Sequence, residues 1–329
     1  MTGLPASIQN LPNSPDVSVQ QQSTASIPAT ENLRFIMSNL FSLIGNTPLL
    51  DLSDLSDNPA VQIFGKLEGQ NPGGSVKDRA ALSMILGAWE RGDLDGGKSI
   101  VEATSGNTGI AMAMIAAKLR IPITLIMPEN STPERVGTMK AYGAEVILTP
   151  SDKTIEYSRE LAQEMEDSGD DYVQLNQFAN PDNWKAHYRT TGPEIWRDTD
   201  GEITHFVSSM GTTGTITGTG RYLREQSDTV QIIGVQPTDG SRIPGIRRWS
   251  PEFVPKIYDA SVVHRKMDVS TAEAVATMRS LARDAGVFAG MSSGGSTAAA
   301  LRLAEEIDEG LIVCIICDRG DRYLSSGLH

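Results

Sequence analysis

The chain has 329 residues, and its 41 acidic against 28 basic side chains leave a formal net charge of −13. That balance leaves no broad basic face for nucleic acid or an anionic membrane, so an anionic ligand must be met by local backbone amides and a few arginines. The length gives room for about two domains, and no apolar run approaches the ~18–20 residues that span a bilayer. Residues 1–36 are dominated by Pro, Ser, Gln, Asn and Thr, with Arg34 their sole basic residue. Such a composition cannot bury a core and predicts a disordered extension. The extension lacks the features of a signal or transit peptide, and Met37 offers an alternative start.

From residue 41 onward strands and helices alternate. A strand over 61–67 is followed by a helix over 78–91 that Gly92 closes, and a short strand over 99–102 feeds a helix over 110–119. A buried strand over 121–127 ends before Pro128; a helix over 133–142 then stops at Gly143, with a strand over 145–148 and an amphipathic helix over 155–166 after it. The second half repeats the alternation, with strands over 206–208, 231–236 and 311–317 and helices over 215–225, 271–285 and 297–307. This pattern predicts an α/β architecture of open, mostly parallel sheets with helices on both faces. Ligands in such sheets bind at the carboxyl ends of strands. Cys314 and Cys317 have CxxC spacing, but they lie on a β-branched run where positions three apart face opposite ways. A reduced, cytoplasmic protein without disulfides is the better reading. The scattered histidines predict no metal site.

Three loops follow a strand and open a helix. In Gly73-Gly74-Ser75-Val76-Lys77-Asp78-Arg79 a single lysine begins the helix, and a positioned, desolvated amine is a nucleophile for carbonyl carbons. Thr104, Ser105, Gly106, Asn107, Thr108 and Gly109 place amides and hydroxyls at a helix N-terminus, which suits an anion; plain capping would need one such residue. Gly211, Thr212, Thr213, Gly214 and Thr215 could cradle a phosphate. The dinucleotide fingerprint and the P-loop both fail, since neither GxGxxG after the first strand nor Gly-Lys-Ser/Thr is present.

On these three loops the chain resembles the fold type II (β-family, tryptophan synthase β-like) pyridoxal-phosphate enzymes, specifically the O-acetylserine sulfhydrylases or cysteine synthases. Ile44-Gly45-Asn46-Thr47-Pro48-Leu49, Asn176-Gln177-Phe178 and Met291-Ser292-Ser293-Gly294 add to the resemblance, which runs from about residue 43 onward. The B type is closest: Thr213 stands where the A type has glycine, and Ile243-Pro244-Gly245-Ile246-Arg247-Arg248-Trp249 and Cys317-Asp318-Arg319-Gly320-Asp321-Arg322-Tyr323-Leu324 support it.

The resemblance implies pyridoxal 5'-phosphate as cofactor, with Lys77 as its covalent anchor and the catalytic acid/base. It gives Asn107 to the ring oxygen, Gly211, Thr212, Thr213, Gly214 and Thr215 to the phosphate, and Ser292 to the pyridine nitrogen. Thr104, Ser105, Gly106, Thr108 and Gln177 would bind the substrate carboxylate. Arg247 and Arg248 border the pocket for a sulfur oxyanion or form a surface turn, and as neighbours they cannot both be assumed to face one pocket. The implied reaction is β-replacement on O-acetyl-L-serine through an α-aminoacrylate, giving cysteine from sulfide or S-sulfocysteine from thiosulfate. The alternatives are an O-phosphoserine-using relative, or a silent scaffold that binds a partner's C-terminal peptide. The resemblance further implies a homodimer, a large domain of residues 37–78 and 186–329, and a small mobile domain of residues 79–185. Asp318 either borders the ring or pairs with Arg319 or Arg322, and His187 reads as a packed histidine rather than a base.

Overall fold

The computed structural model describes residues 40–104, 106–153 and 155–328. The expected extension of residues 1–36 and the candidate Ser105 lie outside them. Strand β1 (Leu49–Asp51) turns back antiparallel onto β2 (Val61–Leu67), and α1 (Lys77–Glu90) follows. Next come β3 (Ser99–Ala103), α2 (Asn107–Leu119), β4 (Ile123–Pro128), α3 (Pro133–Ala141), β5 (Glu145–Thr149), α4 (Ile155–Asp167) and β6 (Tyr172–Gln174). After α5 (Pro181–Arg189) and α6 (Thr191–Asp198) the chain runs through β7 (His205–Ser209), α7 (Gly214–Gln226), β8 (Gln231–Pro237), β9 (Arg265–Val269), α8 (Thr271–Asp284), α9 (Met291–Glu306) and β10 (Gly310–Ile316).

The strands form two sheets. The larger has the order β1-β2-β10-β7-β8-β9 and is parallel except for β1; the smaller, β5-β4-β3-β6, is wholly parallel. β10 explains the near-continuous apolar run. Ile312, Cys314 and Ile316 pack on one face with α8 and α9, while Leu311, Val313 and Ile315 pack on the other with α6 and α7. A strand covered on both faces has no polar side to show. Each fully buried Ile or Leu there contributes about 1.5–3 kcal/mol. The smaller sheet is covered in the same way, by α1 and α2 against Ile100 and Leu125 and by α4 against Val101 and Ile126.

Local signals set the helix starts. Pro133 and Pro181 occupy first helical positions, the Asn180 side chain caps α5, and Ser270 with Glu273 forms a capping box on α8. Helix α1 has no side-chain cap. Its first turn is held instead by a buried ion cluster. Arg79 forks onto Glu68 (2.7 Å) and Glu194 (2.6 Å), and Lys66, fully buried on β2, pairs with Glu194 at 2.9 Å. Burial alone would raise the Glu68 carboxyl, but Arg79, with the Thr47 hydroxyl and Lys66, keeps it below the usual range. Removing one partner would leave an uncompensated buried charge, at a cost of about 3–5 kcal/mol. The cluster thereby fixes the turn that carries Lys77.

Candidate active site

A cavity of about 260 Å³ lies where the carboxyl ends of strands from both sheets meet. Lys77, the first residue of α1, lines it. The turn before Lys77 is sewn to the segment after β10: the Val76 N–H donates to the Cys317 carbonyl at 2.8 Å, and Ser75 bridges Asp318. Burial lowers the pKa of the Lys77 amine, against the opposing pull of Cys317, Asp318 and Glu68. A lowered amine is more often unprotonated and hence nucleophilic at neutral pH.

The 211–215 loop is a backbone cradle. A Cβ on Gly211 would sit 2.5 Å from the Gly245 carbonyl oxygen, and one on Gly214 would sit 2.0 Å from Asn183 Oδ1. Side chains are excluded there, so the amides at the start of α7 can approach a ligand directly. Thr213 lies at φ 70°, a left-handed conformation that strains a β-branched residue. A glycine at this position would carry no such strain. Gly211, Thr212 and Thr215 line the cavity, with Thr213 and Gly214 behind them. Two braces hold the loop. Trp249 Nε1 donates to the Gly211 carbonyl at 2.9 Å, and Thr215 Oγ1 lies 3.3 Å from His187 Nε2. His187 is buried, with its Nδ1 2.9 Å from Thr191 Oγ1, and burial pushes its pKa down to about 3. The ring is therefore a neutral packing element, in keeping with the sequence reading.

Thr104, Gly106 and Thr108 line the opposite wall together with Gln177, whose Oε1 accepts from the Thr108 hydroxyl at 2.8 Å. Asn107 begins α2 between them. Its Nδ2 donates to Asp318 Oδ2 at 2.7 Å and its Oδ1 accepts from Arg322, which leaves one amide hydrogen for a ligand. Ser292, buried in the first turn of α9, reaches the cavity near Gly245.

At two points the sequence left alternatives open, and the side chains take up different positions. Arg247 lines the cavity, but Arg248 turns away to pair with Asp268 at 2.5 Å and Asp239 at 3.2 Å, and it donates to the Pro237 carbonyl. With both acids and a carbonyl on the outer side, Arg248 is no contact for a ligand in this cavity. Asp318 pairs with neither Arg319 nor Arg322; it accepts from Asn107 and from the Tyr323 hydroxyl at 2.5 Å. Both cysteines are free and point to opposite faces of the sheet, with Cys317 in the cavity wall. Burial pushes the Cys317 thiol up to about 11.

The sequence reading missed several groups here. Phe178 and Trp249 meet edge to face at 5.7 Å, Arg159 stacks over Phe178, and Tyr323 carries Arg135 over its ring. Phe178 and Trp249 directly follow Gln177 and the arginine pair, and that adjacency was the available signal. Asn183 gave none. Its amide joins the Gln177 carbonyl (2.7 Å) to Thr212 Oγ1 (3.3 Å).

The family model of pyridoxal-phosphate dependent enzymes matches residues 40–318. The cysteine synthase B of Pseudomonas aeruginosa is 57% identical over 286 residues, which are 87% of this chain and 95% of that protein. The Escherichia coli cysteine synthase B is 55% identical over 292 residues, 89% of this chain and 96% of its own. Among solved structures, the cysteine synthase of Entamoeba histolytica gives a TM-score of 0.84 at 34% identity, covering 98% of this chain and 94% of its own. An O-ureido-L-serine synthase gives 0.82 at 35% identity, covering 88% and 94%.

Proposed function

This chain belongs to the pyridoxal-phosphate-dependent enzymes, and we propose that its cleft makes L-cysteine by replacing the acetate of O-acetyl-L-serine with sulfur from sulfide, and S-sulfocysteine when thiosulfate is the donor. The observation that carries this reading is the desolvated Lys77 amine in one cavity with three loops of fitting chemistry. The residues fit the cofactor. Gly211 and Gly214 leave a cradle that any Cβ would fill, Asn107 keeps one amide hydrogen, and the Ser292 hydroxyl stands across from the lysine's loop.

The 211–215 loop would hold the phosphate at the N-terminus of α7, where first-turn backbone amides have no acceptor within the helix. Ser292 would meet the pyridine nitrogen as a neutral hydroxyl, leaving a weaker electron sink than a carboxylate partner would give, which would favour elimination over transamination. When bound, the cofactor draws electrons from the substrate's α-carbon and so eases loss of its proton and of the β-leaving group. Lys77 would anchor the cofactor, and its amine would take the substrate's α-proton and return it after sulfur has added. Thr104, Gly106, Thr108 and Gln177 receive the substrate carboxylate. Arg247 faces the incoming sulfur oxyanion, which a guanidinium suits. The same reading takes the protein as a cytoplasmic homodimer whose small unit, residues 79–185, closes over bound substrate.

The test is the visible absorption spectrum of the purified protein, titrated with O-acetylserine and then with sulfide or thiosulfate. A band that shifts with O-acetylserine and recovers with either donor is expected. Recovery with sulfide alone would remove thiosulfate, and a protein that stays colourless with added cofactor would overturn the reading.

A further inference from the structure

Glu102 is a buried acid that the reaction above does not use. It lies on β3, two residues before Thr104, and is 3% exposed. The β3–β6 ladder pairs Val101 with Gln174 and then stops. Beyond it Asn176 turns at φ 51°, and the Asn176 and Gln177 N–H groups point to the Glu102 side chain. The Glu102 carboxylate takes them: Oε2 accepts from the Asn176 N–H at 3.0 Å and Oε1 from the Gln177 N–H at 3.4 Å. One side chain thus continues the ladder where the backbone leaves it. Only a carboxylate offers two acceptors and no donor to such a pair.

The position is a costly one for an acid. Burial pushes Glu102 up to about 7 despite these hydrogen bonds and the nearby Arg159 of α4. Glu156 and Glu160 line a second cavity together with Glu102 and Arg159, and they add no positive charge. What the arrangement secures is Gln177. Its N–H goes to Glu102, its carbonyl to Asn183 Nδ2 at 2.7 Å, and its Oε1 to Thr108 at 2.8 Å. The side-chain nitrogen is left to donate to a ligand in the cavity that Gln177 lines.

We propose that Glu102 is a positioning residue for the substrate's carboxylate, holding the Asn176 and Gln177 turn so that Gln177 completes the anion site opened by Thr104 and Thr108. This rests on the reading of the cleft given above. Glu102 touches neither substrate nor cofactor. It ties the loop after β3 to the loop after β6, so that the two halves of one carboxylate site keep their spacing.

The experiment compares Glu102→Ala and Glu102→Gln with the wild type, each as the full chain loaded with cofactor. The amino-acid concentration at half of the spectral change is measured with O-acetylserine and with L-serine, which has no acetate to lose. In Glu102→Ala both half-saturation values should rise about 10- to 100-fold, since two buried backbone donors lose their acceptor. Turnover at saturation should fall less than about threefold, because the loss is of binding shared by ground and transition states, with cofactor affinity unchanged. Glu102→Gln keeps one acceptor and the side-chain volume, and its half-saturation should lie between the two; it carries the test if the alanine variant does not fold. Unchanged half-saturation in both variants would overturn the proposal, as would a rise matched by equal losses of turnover and cofactor affinity. A wild type that answers neither amino acid would instead overturn the reading of the cleft, and the positioning role with it.

Discussion

Two strand-loop-helix turns face each other across the cavity, and they are built in opposite ways. The 211–215 loop is braced on every side: Gly211 lies against the Gly245 carbonyl, Gly214 against Asn183, Thr215 against His187, and Trp249 holds the Gly211 carbonyl. The opposite turn is open at Gly106, although Gly109 beyond it packs against Met139 and Thr104. A Cβ on Gly106 would meet nothing within 4 Å, and no side chain caps α2. In the proposed function, a group that must stay bound through many turnovers is matched by a rigid cradle, prepaid in strain at Thr213. In the same proposal, a substrate that enters and leaves at each cycle meets the open space at Gly106.

Substitutions at four positions test this contrast between the two loops. Lys77→Ala removes the group that both loops serve; turnover should fall by about 10³-fold or more, the span of a positioned acid/base, and the visible band should move to that of unanchored cofactor. Gly214→Ala drives a Cβ into Asn183, an overpacking that costs about 1–3 kcal/mol. Cofactor affinity, read by titration of the apoprotein, should weaken about 10- to 100-fold. His187 tests the brace by pH. Its folded pKa of about 3 lies below the ordinary 6.5, so the unfolded chain binds the extra proton; stability is full above pH 6.5 and falls as the solution is acidified toward 3. His187→Asn should flatten that part of the melting temperature against pH. Gly106→Ala, on the open side, should leave cofactor affinity unchanged within about twofold and shift stability by less than about 0.5 kcal/mol. A larger loss there would show that the open loop is as tightly built as the cradle.

The parts of the molecule that were legible in sequence are those where local pattern and final environment agree. The apolar run of β10, the glycine-flanked lysine and the polar loops at helix starts each carry their own signal. Helices α5 and α6 do not. Their residues mix Pro, Gly, Asn and charge, and they bury Asn183, His187 and Glu194 by tertiary pairing alone. Lys66 is plainer still. A fully buried lysine in a strand contradicts the hydrophobic pattern until Glu194 arrives from 128 residues away. β9, with Met267 and Val269 its only buried residues, is an edge strand too short to show its period. Arg247 and Arg248 could not be told apart because the acids that decide between them, Asp239 and Asp268, are set beside Arg248 only by the folded chain.

The strand order carries a consequence for how the protein is made. All four strands of the smaller sheet come from residues 99–174, so that sheet can be completed while the ribosome is still at work on the second half. The larger sheet cannot. Its middle strand, β10, is the last of the ten to be synthesised, and until it slots between β2 and β7 the nascent chain holds two apolar strand edges with no neighbour. Pairing β2 with β10 also closes a loop of well over two hundred residues, a slow kind of contact to form. The interval between the emergence of β7 and that of β10 is therefore when the newborn chain most needs a chaperone.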